Sequence, residues 1–450
     1  MDMERTSALL RRDLHKEYSC AVRGRGAYLW DSNGRRYLDF SGSATACFIG
    51  HGDEGVARVM AEQARSLEFA HTSQFTTPVA EEFAWELLEF AGEAFRGGAV
   101  CFTSGGSEST ETALKLARQY QVEIGQKQRY QIISRKQGYH GATLGALAVS
   151  GNVKRREMYL PMVREFEQVR TPNCYRCSYA CDSGCDDCGW KYAEEVRGAI
   201  DNSNGEAAAF IFEPVSGATL GAVVPPKSYL PRVCEVCRRE GVLLIADEVM
   251  TGFGRTGRNF AFEHWNVAPD IMVLAKGISS GYAPLGAVVA NKKVVDAIAN
   301  GSGALVHGFT YNAHSVAVAA GREVLRRIVN DKLVLDAAAK AELLGDALRG
   351  LYECRSVGDV RGLGLLWGVE FVTSKETKDP FKPDAQFATK IAAACAARGV
   401  MVYPMQGCVD GYKGDHLLIA PPVVITEEQI KWAVERVKAA VKEVEDAVGS

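Results

Sequence analysis

Pro269-Asp-Ile-Met-Val-Leu-Ala-Lys-Gly-Ile-Ser-Ser-Gly-Tyr-Ala-Pro-Leu-Gly286 decides how the rest of the chain reads. The apolar run Ile271 to Ala275 stops at Lys276, and small or turn-forming residues follow. That pattern predicts a buried strand delivering one amine to its end. Burial disfavours the cationic form and lowers the amine's pKa, which is how proteins make a nucleophilic lysine. A surface lysine at a strand end would look the same over so short a stretch, so the neighbouring segments decide.

Outward from Lys276, short apolar runs alternate with helical patterns: Ala99–Phe102, Gln131–Ser134, Ala208–Phe212, Val242–Ala246 and Leu285–Ala290. This alternation is the signature of an α/β fold with a mostly parallel sheet, whose ligands bind at the carboxyl ends of the strands. Before it come a helical arm to about Leu14, a hairpin over Ala27–Asp39 turned by Asn33-Gly34, a small-residue loop over Ser41–Gly52, and helices over Glu54–Leu67 and Pro78–Ala94. After it come helices from Ser315 and over Leu333–Tyr352, strands near Leu363–Phe371 and Gly399–Tyr403, and a closing helix from Thr426.

The 450 residues, 47% of them hydrophobic, can bury a large core divided into two domains. Lys+Arg of 52 against Asp+Glu of 55 gives a net charge of −3, which points to neither nucleic acid nor an anionic membrane as a partner. No apolar run reaches the ~20 residues that span a bilayer. Met1–Lys16 lacks the apolar core of a signal peptide, and thirteen cysteines then imply reduced thiols in a cytoplasmic protein.

The polar residues that carry chemistry stand just after the apolar runs. Thr103-Ser-Gly-Gly-Ser-Glu108 follows a strand and opens a helix, so its glycines let the backbone approach an anion while the helix N-terminus offers unpaired N–H groups. Gly106 and Ser107 are the candidates for that cradle. In Gly138-Tyr-His-Gly141, Tyr139 can lie flat against a planar ligand. Ile245-Ala-Asp-Glu-Val249 places two acids after a buried strand, where a cationic partner such as a pyridinium nitrogen would keep Asp247 ionised. One strand–helix–strand unit later comes Lys276. Anion cradle, flat ring, ring-nitrogen carboxylate and Schiff-base lysine are the parts of a pyridoxal phosphate site.

With these residues in hand, the chain resembles, over nearly its whole length, the class III (omega-type) aminotransferases of the fold type I pyridoxal enzymes. The matching motifs are Ser104-Gly-Gly-Ser-Glu108, Tyr139-His-Gly141, Phe212-Glu-Pro214, Asp247-Glu-Val-Met-Thr-Gly-Phe-Gly-Arg255, Lys276-Gly277 and His307-Gly-Phe-Thr310. The resemblance implies a large domain with a mostly parallel seven-stranded sheet over residues 61–315. It also implies a small α+β domain over 316–450, with an N-terminal segment, 1–60, packing against it. The cofactor it implies is pyridoxal 5'-phosphate. Gly106 and Ser107 would hold the phosphate, Tyr139 would stack on the ring, Asp247 would pair with its nitrogen, and Val249 would pack on the opposite face. Lys276 would form the Schiff base and shuttle the proton, and Glu213 would lie near the substrate. Thr310 would reach the phosphate of a neighbouring subunit, making a homodimer with shared sites. The activity implied is transfer of an amino group from an amine or amino acid to a ketone or aldehyde. Racemase or aminomutase chemistry on the same lysine, or silent cofactor binding, are the alternatives.

Two stretches depart from the family pattern. Relatives that use α-carboxylate substrates carry a bidentate arginine in the C-terminal domain, and Tyr403 stands where one is expected here, leaving Arg255 or Lys413 as candidates. Ala44 and Thr45 replace a bulky aromatic, so Thr45, Glu213, Arg255 and Tyr403 would line a roomy substrate pocket suited to polyamine, amino-sugar or omega-amino donors. The second stretch, Cys174-Tyr-Arg-Cys-Ser-Tyr-Ala-Cys-Asp-Ser-Gly-Cys-Asp-Asp-Cys188, has cysteine pairs at zinc-like spacing but no helix or knuckle pattern around them. It reads as a reduced-thiol loop with no metal, whose Asp182, Asp186 and Asp187 would attract a cationic amine.

Overall fold

The computed structural model describes residues 7–179 and 186–448, with the backbone alone for Asp186. Three strands open the chain: β1 Ala21–Arg25, β2 Tyr28–Asp31 and β3 Arg36–Asp39. The expected hairpin is the β2–β3 pair. Gly34 takes the left-handed φ of 77° that the turn demands, and Asp31 Oδ1 accepts from the Asn33 and Arg35 amides at 3.0 and 2.9 Å. Residues 7–20 contain no helix, so the expected arm is corrected there. Their large apolar residues, Leu9, Leu10 and Leu14, are exposed, and no apolar face is buried to hold a helix together.

The central sheet comprises β4 Ala99–Thr103, β5 Gln131–Arg135, β6 Gln168–Val169, β7 Ala207–Phe212, β8 Leu243–Asp247, β9 Ile271–Leu274 and β10 Gly286–Ala290. Their order is β4-β10-β9-β8-β7-β5-β6, and only β10 runs against its neighbours. Every residue of β7 to β10 is buried, which is why these strands read as continuous apolar runs instead of alternating ones. The connection from β8 to β9 holds only a short 3-10 turn, Ala261–Trp265, where a helix was expected. Its 23 residues include three glycines, one proline, two threonines and two asparagines, which break a helical period.

The C-terminal sheet comprises β11 Val357–Leu363, β12 Leu366–Phe371, β14 Tyr403–Gln406 and β15 Asp415–Ile419, with β13 Val400–Met401 between them in sequence. The strand expected near Leu363–Phe371 is β12, and it is the second arm of a hairpin whose turn, at Gly364 with φ 64°, leads in from β11. β13 leaves this sheet and pairs in parallel with β3, Val400 opposite Leu38 and Met401 opposite Asp39. The N-terminal hairpin is thereby anchored to the C-terminal region. Among the described residues no helix is long and apolar enough to cross a membrane.

Candidate active site

The loops leaving β4, β5, β7, β8 and β9 bring the sequence candidates to one edge of the sheet. The topology makes this unavoidable: β9, β8, β7 and β5 are parallel neighbours, so their carboxyl ends lie side by side.

Lys276 follows β9 with a left-handed φ of 48° and is partly buried. Its Nζ donates to Thr45 Oγ1 at 3.2 Å. Burial pushes the amine down from its usual range to about 8, against the opposing charges of Asp247 and Glu213. A neutral, nucleophilic amine is therefore reachable near physiological pH.

Asp247 ends β8 and is 5% exposed. Its Oδ2 accepts from His140 Nδ1 at 2.7 Å, and its Oδ1 from the Val249 amide at 3.0 Å. His140 is itself buried, and its Nε2 has no hydrogen-bond partner among the described residues. Gly106, at the start of the helix Gly106–Glu123, approaches so closely that a Cβ there would touch Val249 and Ala275 at 3.4 Å. Ser107 Oγ accepts from the Ala142 amide at 3.0 Å, placing the helix N-terminus beside the Tyr139 loop. Glu213 is buried. Its Oε2 accepts from the Tyr139 amide at 3.3 Å and its Oε1 from the Gly217 amide at 2.8 Å. Burial, with Asp247's charge behind it, holds the Glu213 carboxyl above its usual range although His140 pulls it down.

Three candidates form no hydrogen bond with these residues among the described ones. Arg255 is 1% exposed and committed to main-chain oxygens: Nη1 to Pro421 at 2.6 Å and to Leu365 at 3.4 Å, Nη2 to Cys47 at 3.2 Å. Its guanidinium lies over the Phe48 ring, 5.1 Å from the centroid. Tyr403 sits on β14 opposite Leu418, and no hydrogen bond among the described residues joins it to Lys276, Thr45 or Glu213. Thr310 is exposed. In the cysteine-rich stretch, Cys181, Cys185 and Asp182 lie outside the described residues, as does the Asp186 side chain; Asp187 is exposed. Cys177 Sγ is 3.4 Å from Cys188 Sγ, and Cys188 is disulfide-bonded, so the expectation of reduced thiols does not hold at that residue. No cluster of metal-ligating side chains occurs among the described residues.

Sequence reasoning missed the clamp that presents Thr45. Gly42, Ser43, Ala44 and Thr45 all have left-handed φ, 55°, 48°, 60° and 67°. The buried Asp39 holds this turn, accepting from Ser41 Oγ (2.9 Å), Ser43 N (3.0 Å), Ser43 Oγ (2.8 Å) and His51 Nε2 (2.9 Å). Against the cost of burial, the Asp39 hydrogen bond raises His51 to about 10, and Asp39 is correspondingly lowered. The imidazolium and carboxylate thus persist together across neutral pH. His140 was visible within the Tyr139 motif, but nothing in the sequence marked it as Asp247's partner.

A carboxylate hydrogen-bonded to a buried imidazole, a lysine of lowered pKa and a glycine-built helix N-terminus suit a phosphorylated pyridine aldehyde, and the donor set fits pyridoxal 5'-phosphate. The comparisons agree. The model of the family "Aminotransferase class-III" matches residues 11–441. The chain is 37% identical over 443 residues to the uncharacterized aminotransferase YodT of Bacillus subtilis (strain 168), covering 98% of each. It is 33% identical to the putrescine–pyruvate aminotransferase of Pseudomonas aeruginosa, covering 91% of this chain and 87% of the relative. A PLP-bound amine transaminase from an uncultivated Pseudomonas species superposes with a TM-score of 0.90 at 34% identity, over 98% of both chains. The chain belongs to the class III aminotransferases, pyridoxal phosphate enzymes of fold type I.

Proposed function

We propose that this aminotransferase is a cytoplasmic homodimer of the omega type. It moves an amino group from an omega-amino, polyamine, amino-sugar or simple amine donor to a ketone or aldehyde through Lys276. The observation that carries this reading is the engagement of Arg255. With its terminal nitrogens on three main-chain oxygens and 1% exposure, it cannot turn to grip an α-carboxylate without stranding buried carbonyls. Tyr403, where an arginine was expected, offers no charge. The putrescine-using relative supports the same donor class.

When bound, pyridoxal phosphate supplies the electron sink that acidifies the donor's amine-bearing carbon. Lys276 Nζ, neutral once above its pKa of about 8, takes the proton from that carbon while Thr45 Oγ1 holds the nitrogen in place. Asp247, oriented by His140, would hold the proton on the pyridine nitrogen. Gly106 and Ser107 would hold the phosphate, and Tyr139 and Val249 would cover the two ring faces. Thr310, exposed next to the exposed Tyr311 and four residues after the exposed Val306, would complete the phosphate site of a second copy. We place the division between large and small domains near residue 315, with residues 1–60 joining the small domain through the β3–β13 pairing.

The test is a donor panel on the purified holoenzyme: n-butylamine, putrescine, 4-aminobutyrate and glucosamine against alanine and aspartate. At least one of the first four should exceed both α-amino acids tenfold in kcat/KM. A clear lead for alanine or aspartate refutes the reading.

A further inference from the structure

Two guanidinium groups act on the Lys276 amine, those of Arg255 and Arg155. Arg255 is spent on carbonyls. Arg155 is not: among the described residues it forms no ion pair, and its guanidinium lies over the ring of Tyr139, whose centroid is 4.5 Å from Cζ. A partly buried cation against the Tyr139 ring, whose charge reaches the catalytic lysine and which has no ion-pair partner among the described residues, is suited to take an anion.

The turn that carries Arg155 is fixed to the Tyr139 loop. The Gly151 amide donates to Gly138 O at 2.8 Å, and Asn152 Nδ2 to Gln137 Oε1 at 3.0 Å. Asn152 Oδ1 caps the Arg155 amide at 3.3 Å. The junction is so tight that a Cβ on Gly151 would stand 2.3 Å from Arg135 O. The segment 407–414, which follows the arginine-less β14, closes over the same turn: a Cβ on Gly411 would meet Val153 at 2.9 Å, and Tyr412 bonds Glu157. The C-terminal region, which lacks the expected arginine at Tyr403, thus packs directly onto the turn that supplies one.

We propose that Arg155 is the specificity-determining residue that binds the carboxylate of an omega-amino acid donor, remote from the amine that reacts at Lys276. This rests on the omega-type reading above and narrows it. A diamine would set its distal ammonium against the Arg155 cation, whereas a carboxylate there gains a charge-assisted hydrogen bond and a counter-ion. Because the guanidinium already stacks on Tyr139, ligand and cofactor-facing ring are positioned by one rigid turn.

The experiment compares wild type, Arg155→Ala and Arg155→Lys as holoenzymes with 4-aminobutyrate and n-butylamine, which differ only in the carboxylate. Losing a charged hydrogen bond is worth ~10- to 100-fold. The KM for 4-aminobutyrate should rise by that factor in Arg155→Ala, that for n-butylamine by at most threefold, and Arg155→Lys should recover part of the loss. The dissociation constant of butyrate, an unreactive mimic, should rise in parallel. Equal effects on both donors would reduce Arg155 to a support for Tyr139 and overturn the proposal. So would an effect confined to the KM of a 2-oxo acid acceptor, or an unchanged KM for 4-aminobutyrate. Butyrate binding needs no turnover, so a wild type that preferred alanine, refuting the omega-type reading, would still report on Arg155 separately.

Discussion

Replacing Asp39 by asparagine tests the link between a strained turn and the catalytic amine. Three non-glycine residues, Ser43, Ala44 and Thr45, sit in the left-handed region, at a cost of roughly 1–2 kcal/mol each. What offsets that strain is the Asp39 carboxylate, 1% exposed, with its four hydrogen bonds and the His51 cation. Asparagine keeps the size but loses the charge, and turns one oxygen into a donor facing donors. Removing one partner of a buried pair costs about 3–5 kcal/mol. At roughly 1–2 °C per kcal/mol for so long a chain, the holoenzyme's Tm should fall by about 5 °C, measured at matched cofactor concentration. The pH dependence has a definite sign. His51 is raised from 6.5 to about 10 and Asp39 is lowered from 3.8. The pair's contribution is complete between about pH 4 and 6.5, shrinks as pH rises toward 10, and is lost on the acid side as Asp39 protonates. The gap between wild type and Asp39→Asn should therefore be widest near pH 6 and narrow by pH 10. A Tm within 1 °C of wild type at pH 6, with unaltered activity, would refute the clamp.

Lys276→Ala should abolish transamination while cofactor still binds without a covalent link; turnover at the wild-type rate would remove Lys276 from the chemistry. Asp247→Asn should lose most activity, since the neutral amide neither holds a pyridinium proton nor accepts His140's bond as a charge; full activity would remove Asp247 from the site. In cofactor-free protein, burial lowers Lys276 from 10.5 to about 8, so the rate of recombination with added pyridoxal phosphate should rise with an inflection near pH 8, and an inflection above pH 10 would contradict a buried amine. Mixing Thr310→Ala with Lys276→Ala subunits places both lesions in one composite site and leaves the other intact, so activity should exceed the average of the parents. Activity that tracks that average would argue for sites built within one chain.

Of the six apolar runs, those of β7 to β10 were the plainest because every residue in these strands is buried and no polar alternation interrupts them, while β4 and β5 were marked by the apolar residues that their carboxyl-terminal halves bury. β6 was not, since two residues carry no period, and neither was β1, whose residues are largely exposed. At the site, Lys276, Asp247, Gly106 and Tyr139 were visible because each follows a strand within a short glycine- or acid-marked motif. The partners that give them their properties were hidden. His140 meets Asp247 across 107 residues, and Thr45 meets Lys276 across 231. Such pairings are set by strand order and loop path, and no local spacing encodes them.

Arg255 shows why motif position alone misleads about substrate. It closes the Asp247–Arg255 motif, and an arginine whose charge reaches the catalytic lysine invites a carboxylate. Its environment decides otherwise: the Phe48 face, the Cys47, Leu365 and Pro421 carbonyls and near-complete burial make it a brace between the N-terminal turn, the β11–β12 hairpin and the segment after β15. Freeing it for a ligand would orphan three buried acceptors, each worth about 1–3 kcal/mol, more than one new ion pair would return. A cation with no such commitments can bind and release a substrate on every turnover. That difference in prior engagement, more than proximity to Lys276, is what separates Arg155 from Arg255.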